Sequence, residues 1–159
     1  MAEGLVIPEL LAASCVARGL RVAGKAELFE ALGAMLNRAA PDLSRKTILS
    51  ALLEREHQGG TGIGHGVAIP HGRVPGLGRF VGAFVTLAQA VDYHAIDAKP
   101  VTMVFALLVP EQAVQEHLLI LSRLAGIFRN SETRQELLAA QTTEEICQCF
   151  ARAENRADR

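Results

Sequence analysis

Hydrophobic and polar positions along the chain follow two periods, and the switches between them mark out the elements. From Lys25 to Ala39, Leu28, Phe29, Leu32, Met35, Leu36 and Ala39 recur at steps of three and four, which gathers them on one face of a helix. Pro41 marks its end. A second helix is expected from near Ser44, carrying Ile48, Leu49, Leu52 and Leu53 before Glu54, Arg55 and Glu56 lead into a glycine-rich segment. The runs FVGAFVTLA from Phe80 and VTMVFALLVP from Val101 are rich in Val and Phe and bounded by Gly or Pro, so strands are expected at residues 81 to 88 and 101 to 109. A shorter strand is expected at residues 67 to 69. The last third returns to the helical period. Val114, Leu118, Leu121, Ala125 and Phe128 form a stripe, Asn130 and Ser131 interrupt it, and Thr142 with Glu145 has the spacing of a capping box ahead of Ile146 and Phe150. The charged tail from Arg152 is expected to fray.

Neither a repeat nor a Pro/Ser-rich linker divides the chain, so residues 1–159 are read as a single α/β domain, a central mixed β-sheet covered by helices on both faces. Composition agrees. Half of the residues are hydrophobic but only 4% are aromatic, with no Trp, so the core must be built from Ala, Leu, Val and Ile. A formal charge of -1 supplies no broad positive field for nucleic acid or membrane phosphates, so any anion site must be local.

Three cysteines cannot all pair internally, and Cys147 and Cys149 lack a second pair for a zinc site, so reduced thiols and a cytoplasmic location are expected. The segment LLAASC ending at Cys15 superficially matches a lipoprotein cleavage site. No Lys or Arg precedes it, however, and Glu3, Pro8 and Glu9 break the apolar run, so no signal peptide is expected. No apolar run reaches the roughly 18 residues of a membrane span, so no membrane insertion is expected either.

The segment GGTGIGHGVAIPHGR, Gly59 to Arg73, carries the candidate chemistry. Its glycines could turn successive amides toward an anion. The spacing fits neither a dinucleotide fingerprint nor a P-loop, and the strand follows the loop where both motifs want it to precede. His71 stands between Pro70, which donates no backbone hydrogen bond, and Gly72, so it is expected to project from a strand end. His117 lies near the start of the helix after Pro110, on the same face as Val114, Leu121 and Leu124, so it is expected to face inward. It is either a core histidine bonded to a carbonyl or a ligand to an anion at the helix start. His57, His65 and His94 are expected to be solvated, and Arg73 to be an exposed cation available for docking.

Glu54-Arg55-Glu56 with the run from Gly59 to Arg73, AIDAKPVTMVFALLVPE from Ala95, and EHLLILSRLAGIF from Glu116 together resemble the enzyme IIA proteins of the bacterial phosphotransferase system, mannitol/fructose type. The resemblance extends from about Leu5 to Phe150 and is strongest to the nitrogen-regulatory branch. It implies a mannitol-specific enzyme IIA-like fold and a phosphoryl group received on His71 from the histidine-containing phosphocarrier protein. It further implies that His117 donates a hydrogen bond to that group, and that Arg55 and the Thr61 hydroxyl stabilise it. The family usually has Ser-Thr before Gly-Ile-Gly, whereas this chain has Gly60-Thr61, so one hydroxyl is missing.

No cofactor is implied, since magnesium serves only the upstream enzyme I step. In the regulatory branch, phosphorylation state governs binding to target proteins such as kinases or transporters. The alternatives are a sugar-specific IIA that passes phosphate to a IIB partner, and a module binding zinc through His65, His71 and His117.

Overall fold

The computed structural model describes residues 7–157. A 3-10 turn, Ile7–Leu10, opens it. The strands are Leu11–Leu20 (β1), Gly62–Gly64 (β2), Val67–Ala68 (β3), His71–Val74 (β4), Val81–Val91 (β5) and Val101–Pro110 (β6). The helices are Lys25–Ala39 (α1), Arg45–Gln58 (α2), Val114–Arg129 (α3), Ser131–Ala139 (α4) and Thr143–Ala157 (α5).

The sheet is built around β5 and β6, the two apolar runs, which pair antiparallel. Its order is β1-β5-β6-β3-β2, with β4 also paired to β6. The sheet is mixed: β1 runs parallel to β5, β3 and β4 run parallel to β6, and β2 runs antiparallel to β3. Strand alternation divides the apolar residues between two cores. Val81, Ala83 and Val85 of β5, with Val104, Ala106 and Leu108 of β6, join Leu28, Leu32 and Leu36 of α1 and Ile48 and Leu52 of α2. Phe84 of β5, with Met103, Phe105, Leu107 and Val109 of β6, joins Ile120, Leu124 and Phe128 of α3 and Ile146 and Phe150 of α5. Helices therefore cover both faces, as the patterning predicts. Four of the six phenylalanines, Phe84, Phe105, Phe128 and Phe150, cluster in the second core, with Phe84 and Phe150 edge to face at 5.0 Å.

The helix boundaries follow local chemistry. Ser44 caps α2 by accepting the Thr47 N–H at 3.0 Å. Asn130 caps α4 by accepting the Thr133 N–H at 3.1 Å. At α5, Thr142 accepts the Glu145 N–H while the Glu145 carboxylate reaches back to the Gln141 N–H, the expected box displaced by one residue on its return arm.

Three features depart from the sequence expectation. All of LLAASC but Leu10 lies within the edge strand β1, whose alanines carry little β-propensity. Residues 71–74 form a strand of their own, where the expected strand ends at residue 69 and His71 is expected to project from its end. The tail does not fray at Arg152, because α5 continues to Ala157 and buries Ala153 and Glu154, whose carboxylate accepts the Ile7 N–H at 2.6 Å. Cys15, Cys147 and Cys149 form no disulfide, and among the described residues no helix is long and apolar enough to cross a membrane.

Candidate functional site

His71 owes its place to an interruption in one strand. Val67 and Ala68 of β3 lie opposite Met103 and Val104 of β6, and His71 resumes the same parallel pairing opposite Leu107. Between them Pro70 has no N–H to give, but its carbonyl accepts the Leu107 N–H at 2.9 Å, and the Ile69 N–H turns away to the Thr61 carbonyl at 2.9 Å. The imidazole begins β4 rather than hanging from the end of β3. It is also more enclosed than expected, at 7% exposure. Its Nδ1 lies 2.8 Å from the Ile69 carbonyl oxygen. A carbonyl can only accept, so Nδ1 carries the proton and Nε2 keeps its lone pair.

Gly72 follows for a steric reason. A Cβ there would stand 2.7 Å from the Ala51 carbonyl carbon and 2.8 Å from the Ala51 Cβ, so α2 can lie this close to β4 only over a glycine. That approach brings the last turn of α2, with Arg55, beside His71. From the opposite face α3 brings His117 in its first turn, and the two imidazoles meet edge to face with centroids 5.1 Å apart. The result is a cleft of about 480 Å³ beside β4, lined by Glu54, Arg55, His71, Arg73, Glu111 and His117 among others. A larger groove of about 850 Å³ adjoins it through Glu111 but contains no histidine.

His117 faces inward as expected, 7% exposed, yet neither ring nitrogen meets a hydrogen-bond partner in the protein. The reading of a core histidine satisfied by a carbonyl therefore fails. An unpaired buried polar group costs about 1–3 kcal/mol, a cost tolerated where a ligand is to arrive. Burial first, then the charges of His71, Arg73 and Arg55, push the His117 imidazole down to about 4. Burial also lowers His71 below its ordinary value of 6.5, opposed by the bond to Ile69 and reinforced by Arg55. At neutral pH both rings are neutral: one offers a lone pair, the other an N–H. Arg55 donates through Nη1 to the Gly59 carbonyl at 2.7 Å, which closes the end of α2 and leaves the rest of the guanidinium fork for an anion.

Thr61 is not brought to the cleft with the other three residues. It is 5% exposed, and its hydroxyl bonds the Glu56 carboxylate and lies 2.8 Å from the Tyr93 hydroxyl. The glycine loop also differs from the anion cradle its composition allows. Gly62–Gly64 is a strand, Gly64 and Gly66 turn a hairpin at φ of 93° and 78°, and none of residues 59–66 lines the cleft. His57, His65 and His94 are exposed. Among the described residues no three His, Cys, Asp or Glu side chains gather to hold a metal ion, which removes the support for a zinc module. Arg73, expected only as a docking cation, lines the cleft itself. Its place in alternation beside His71 is legible only once β4 is known to be a strand.

Comparison with known proteins identifies the family. The family described as phosphoenolpyruvate-dependent sugar phosphotransferase system, EIIA 2, matches residues 9–153. Similar proteins include a nitrogen regulatory protein of Pseudomonas aeruginosa, 36% identical over 131 residues covering 82% of this chain and 85% of the relative. Another, from Bradyrhizobium diazoefficiens, is 33% identical over 145 residues covering 91% and 94%. The crystal structure of nitrogen regulatory protein IIA-Ntr from Neisseria meningitidis superposes with a TM-score of 0.87 at 41% identity, covering 91% of this chain and 98% of that one. The IIA mannitol structure from Escherichia coli, at 19% identity and a TM-score of 0.72 over 88% and 98% of the two chains, shares the fold. With the family match spanning nearly its whole length, the chain belongs to the EIIA type 2 family of the phosphoenolpyruvate-dependent sugar phosphotransferase system.

Proposed function

We propose that the protein is a phosphohistidine relay of the nitrogen-regulatory type, accepting a phosphoryl group on Nε2 of His71 from the phosphocarrier protein and acting on partners according to its phosphorylation state. The observation that carries this reading is the pairing of His71, held with Nε2 free, against a buried His117 with no partner of its own. In the transfer, the phosphorus–nitrogen bond to the donor imidazole breaks as the bond to Nε2 forms. His71 needs no base, because its one ring proton stays on Nδ1 against the Ile69 carbonyl. Charge spreads over the equatorial oxygens in transit. The His117 N–H and the Arg55 guanidinium are the donors aimed at them, and Arg73 adds positive charge at the rim. No metal or cofactor enters this step, and magnesium acts only at enzyme I. Thr61 supports the site from behind, through its backbone, rather than by touching the phosphoryl group.

The regulatory reading is preferred to a sugar-specific one because relatives spanning most of both chains are named nitrogen regulatory proteins, although a fructose-specific component of Bacillus subtilis also matches 88% of this chain at 32% identity. Its partners would then be the phosphocarrier protein and target proteins such as kinases or transporters. The formal charge of -1 gives no support to nucleic acid as a target. Incubation with enzyme I, the phosphocarrier protein, phosphoenolpyruvate and magnesium should place one phosphoryl group on His71, labile in acid and stable in base. His71→Ala should abolish it. Label persisting in that variant, or found on a serine, would show that the nucleophile is wrong.

A further inference from the structure

Glu56 follows Arg55 on α2, but its carboxylate turns away from the cleft into a polar cluster behind it. Oε2 accepts from Lys25 Nζ at 2.8 Å and from the Thr61 N–H at 3.1 Å. Oε1 accepts from the Thr61 hydroxyl and from the Tyr93 hydroxyl at 3.2 Å. Lys25 also donates to the Tyr93 carbonyl at 3.2 Å and stands over the Tyr93 ring at 4.2 Å. The Glu56 side chain is only 8% exposed. Burial raises its pKa, but the bonds from Lys25 and Thr61 outweigh burial and hold it below its ordinary value, so it is ionised.

The helix itself gives no reason for a carboxylate here. Glu56 sits in the last turn of α2, where the helix dipole disfavours negative charge, and the bonds from Lys25 and Thr61 offset that cost. What the carboxylate holds in exchange is the Thr61 backbone. The Thr61 carbonyl receives the Ile69 N–H at 2.9 Å, and the Ile69 carbonyl receives the His71 Nδ1–H at 2.8 Å. Glu56 thus ends a chain of hydrogen bonds whose other end sets which nitrogen of His71 carries the proton. Pro70, between Ile69 and His71, contributes no N–H that could substitute.

We propose that Glu56 is a positioning residue for phosphoryl transfer: through Thr61 and Ile69 it holds His71 in the Nδ1–H tautomer that presents Nε2 to the incoming phosphoryl group. Lys25 and Tyr93 keep the carboxylate in place. The proposal rests on the reading of His71 as nucleophile.

The test follows the His71 tautomer by ¹⁵N NMR and, separately, steady-state transfer from the phosphorylated carrier, in the full chain. Glu56→Ala should shift the His71 ring nitrogens from a single Nδ1–H form toward a mixture of tautomers. It should lower kcat by about 10–100-fold, the range for loss of a group that orients a reacting side chain, with KM for the carrier unchanged. Glu56→Gln keeps one acceptor for Thr61 and should recover part of both signals. It also serves if Glu56→Ala does not fold. A folded variant with the wild-type tautomer, or with a loss confined to KM, would overturn the proposal. If wild-type His71 takes up no phosphate, the relay reading fails instead, and the tautomer signal still decides the role of Glu56.

Discussion

Replacing Gly72 by alanine adds one methyl group at the tightest contact behind the site. The new Cβ would begin 2.7 Å from the Ala51 carbonyl carbon and 2.8 Å from both the Ala51 oxygen and Cβ. Two of these three atoms are helix backbone, so no side-chain rotation relieves the clash. Ordinary contact between carbons lies at about 3.5–4.0 Å, so α2 and β4 must separate by roughly 1 Å. Forcing a methyl group into a packed site typically costs about 1–3 kcal/mol. The functional effect follows from what the displaced element carries. Arg55 lies one turn beyond Ala51 on α2, and a displacement of about 1 Å in a charge-stabilising group can cost as much as 100-fold in rate. Gly72→Ala should therefore lower the urea midpoint by the equivalent of about 1–3 kcal/mol and slow single-turnover phosphorylation of His71 by about 10–100-fold. Chemical denaturation and quenched transfer from labelled phosphocarrier protein would measure the two effects on one preparation. Wild-type stability together with a wild-type rate would refute the reasoning, since it would mean that α2 does not rest on Gly72.

Two further outcomes are expected. His117→Ala should fold and still take phosphate on His71, but about 10–1,000-fold more slowly for loss of one preorganised donor, with His117→Gln less impaired; single-turnover rates check this, and phosphate found on His117 would reverse the roles. Between pH 6.5 and about 4 the unfolded chain binds a proton at His117 that the folded chain refuses, so this contribution to stability is fully present above 6.5 and is lost as pH falls toward 4. The loss should reach at most about 3 kcal/mol, and His117→Leu should remove that part of the slope in denaturation curves recorded across the interval.

The parts of the fold legible in the sequence are those where a single local interaction decides the outcome. The helix over residues 25–39 and the Ser44 cap follow from apolar spacing and from one side-chain bond. The strand β4 was not legible, because its four residues are held by pairing with β6, more than 30 positions away, rather than by any propensity of His-Gly-Arg-Val. The same holds for β1, whose pairing with β5 overrides an alanine-rich sequence. At the site, the flanks of His71 and the helical phase of His117 pointed to two residues that the fold brings together in one cleft. Thr61, which the resemblance assigns to the phosphoryl group, lies behind the cleft instead, since its partners are Glu56 in the last turn of α2 and Tyr93, distant in the sequence. The contact at Gly72 is likewise invisible in the sequence, because it is made with Ala51 of α2, some twenty positions away.

The interrupted strand that carries His71 also bears on how its two chemical states can differ. Pro70 and His71 are tied to β6 on one side, Gly72 is pressed against α2, and the imidazole is bonded to its own strand through Ile69. On the proposed reading, a phosphoryl group on Nε2 would enter a cleft between elements already held by these contacts. A partner that distinguished the two forms would then meet a change of surface potential at the mouth of the cleft, between the cations Arg55 and Arg73 and the carboxylates Glu54 and Glu111. Recognition of that kind is sensitive to ionic strength, so salt dependence of partner binding is its expected signature.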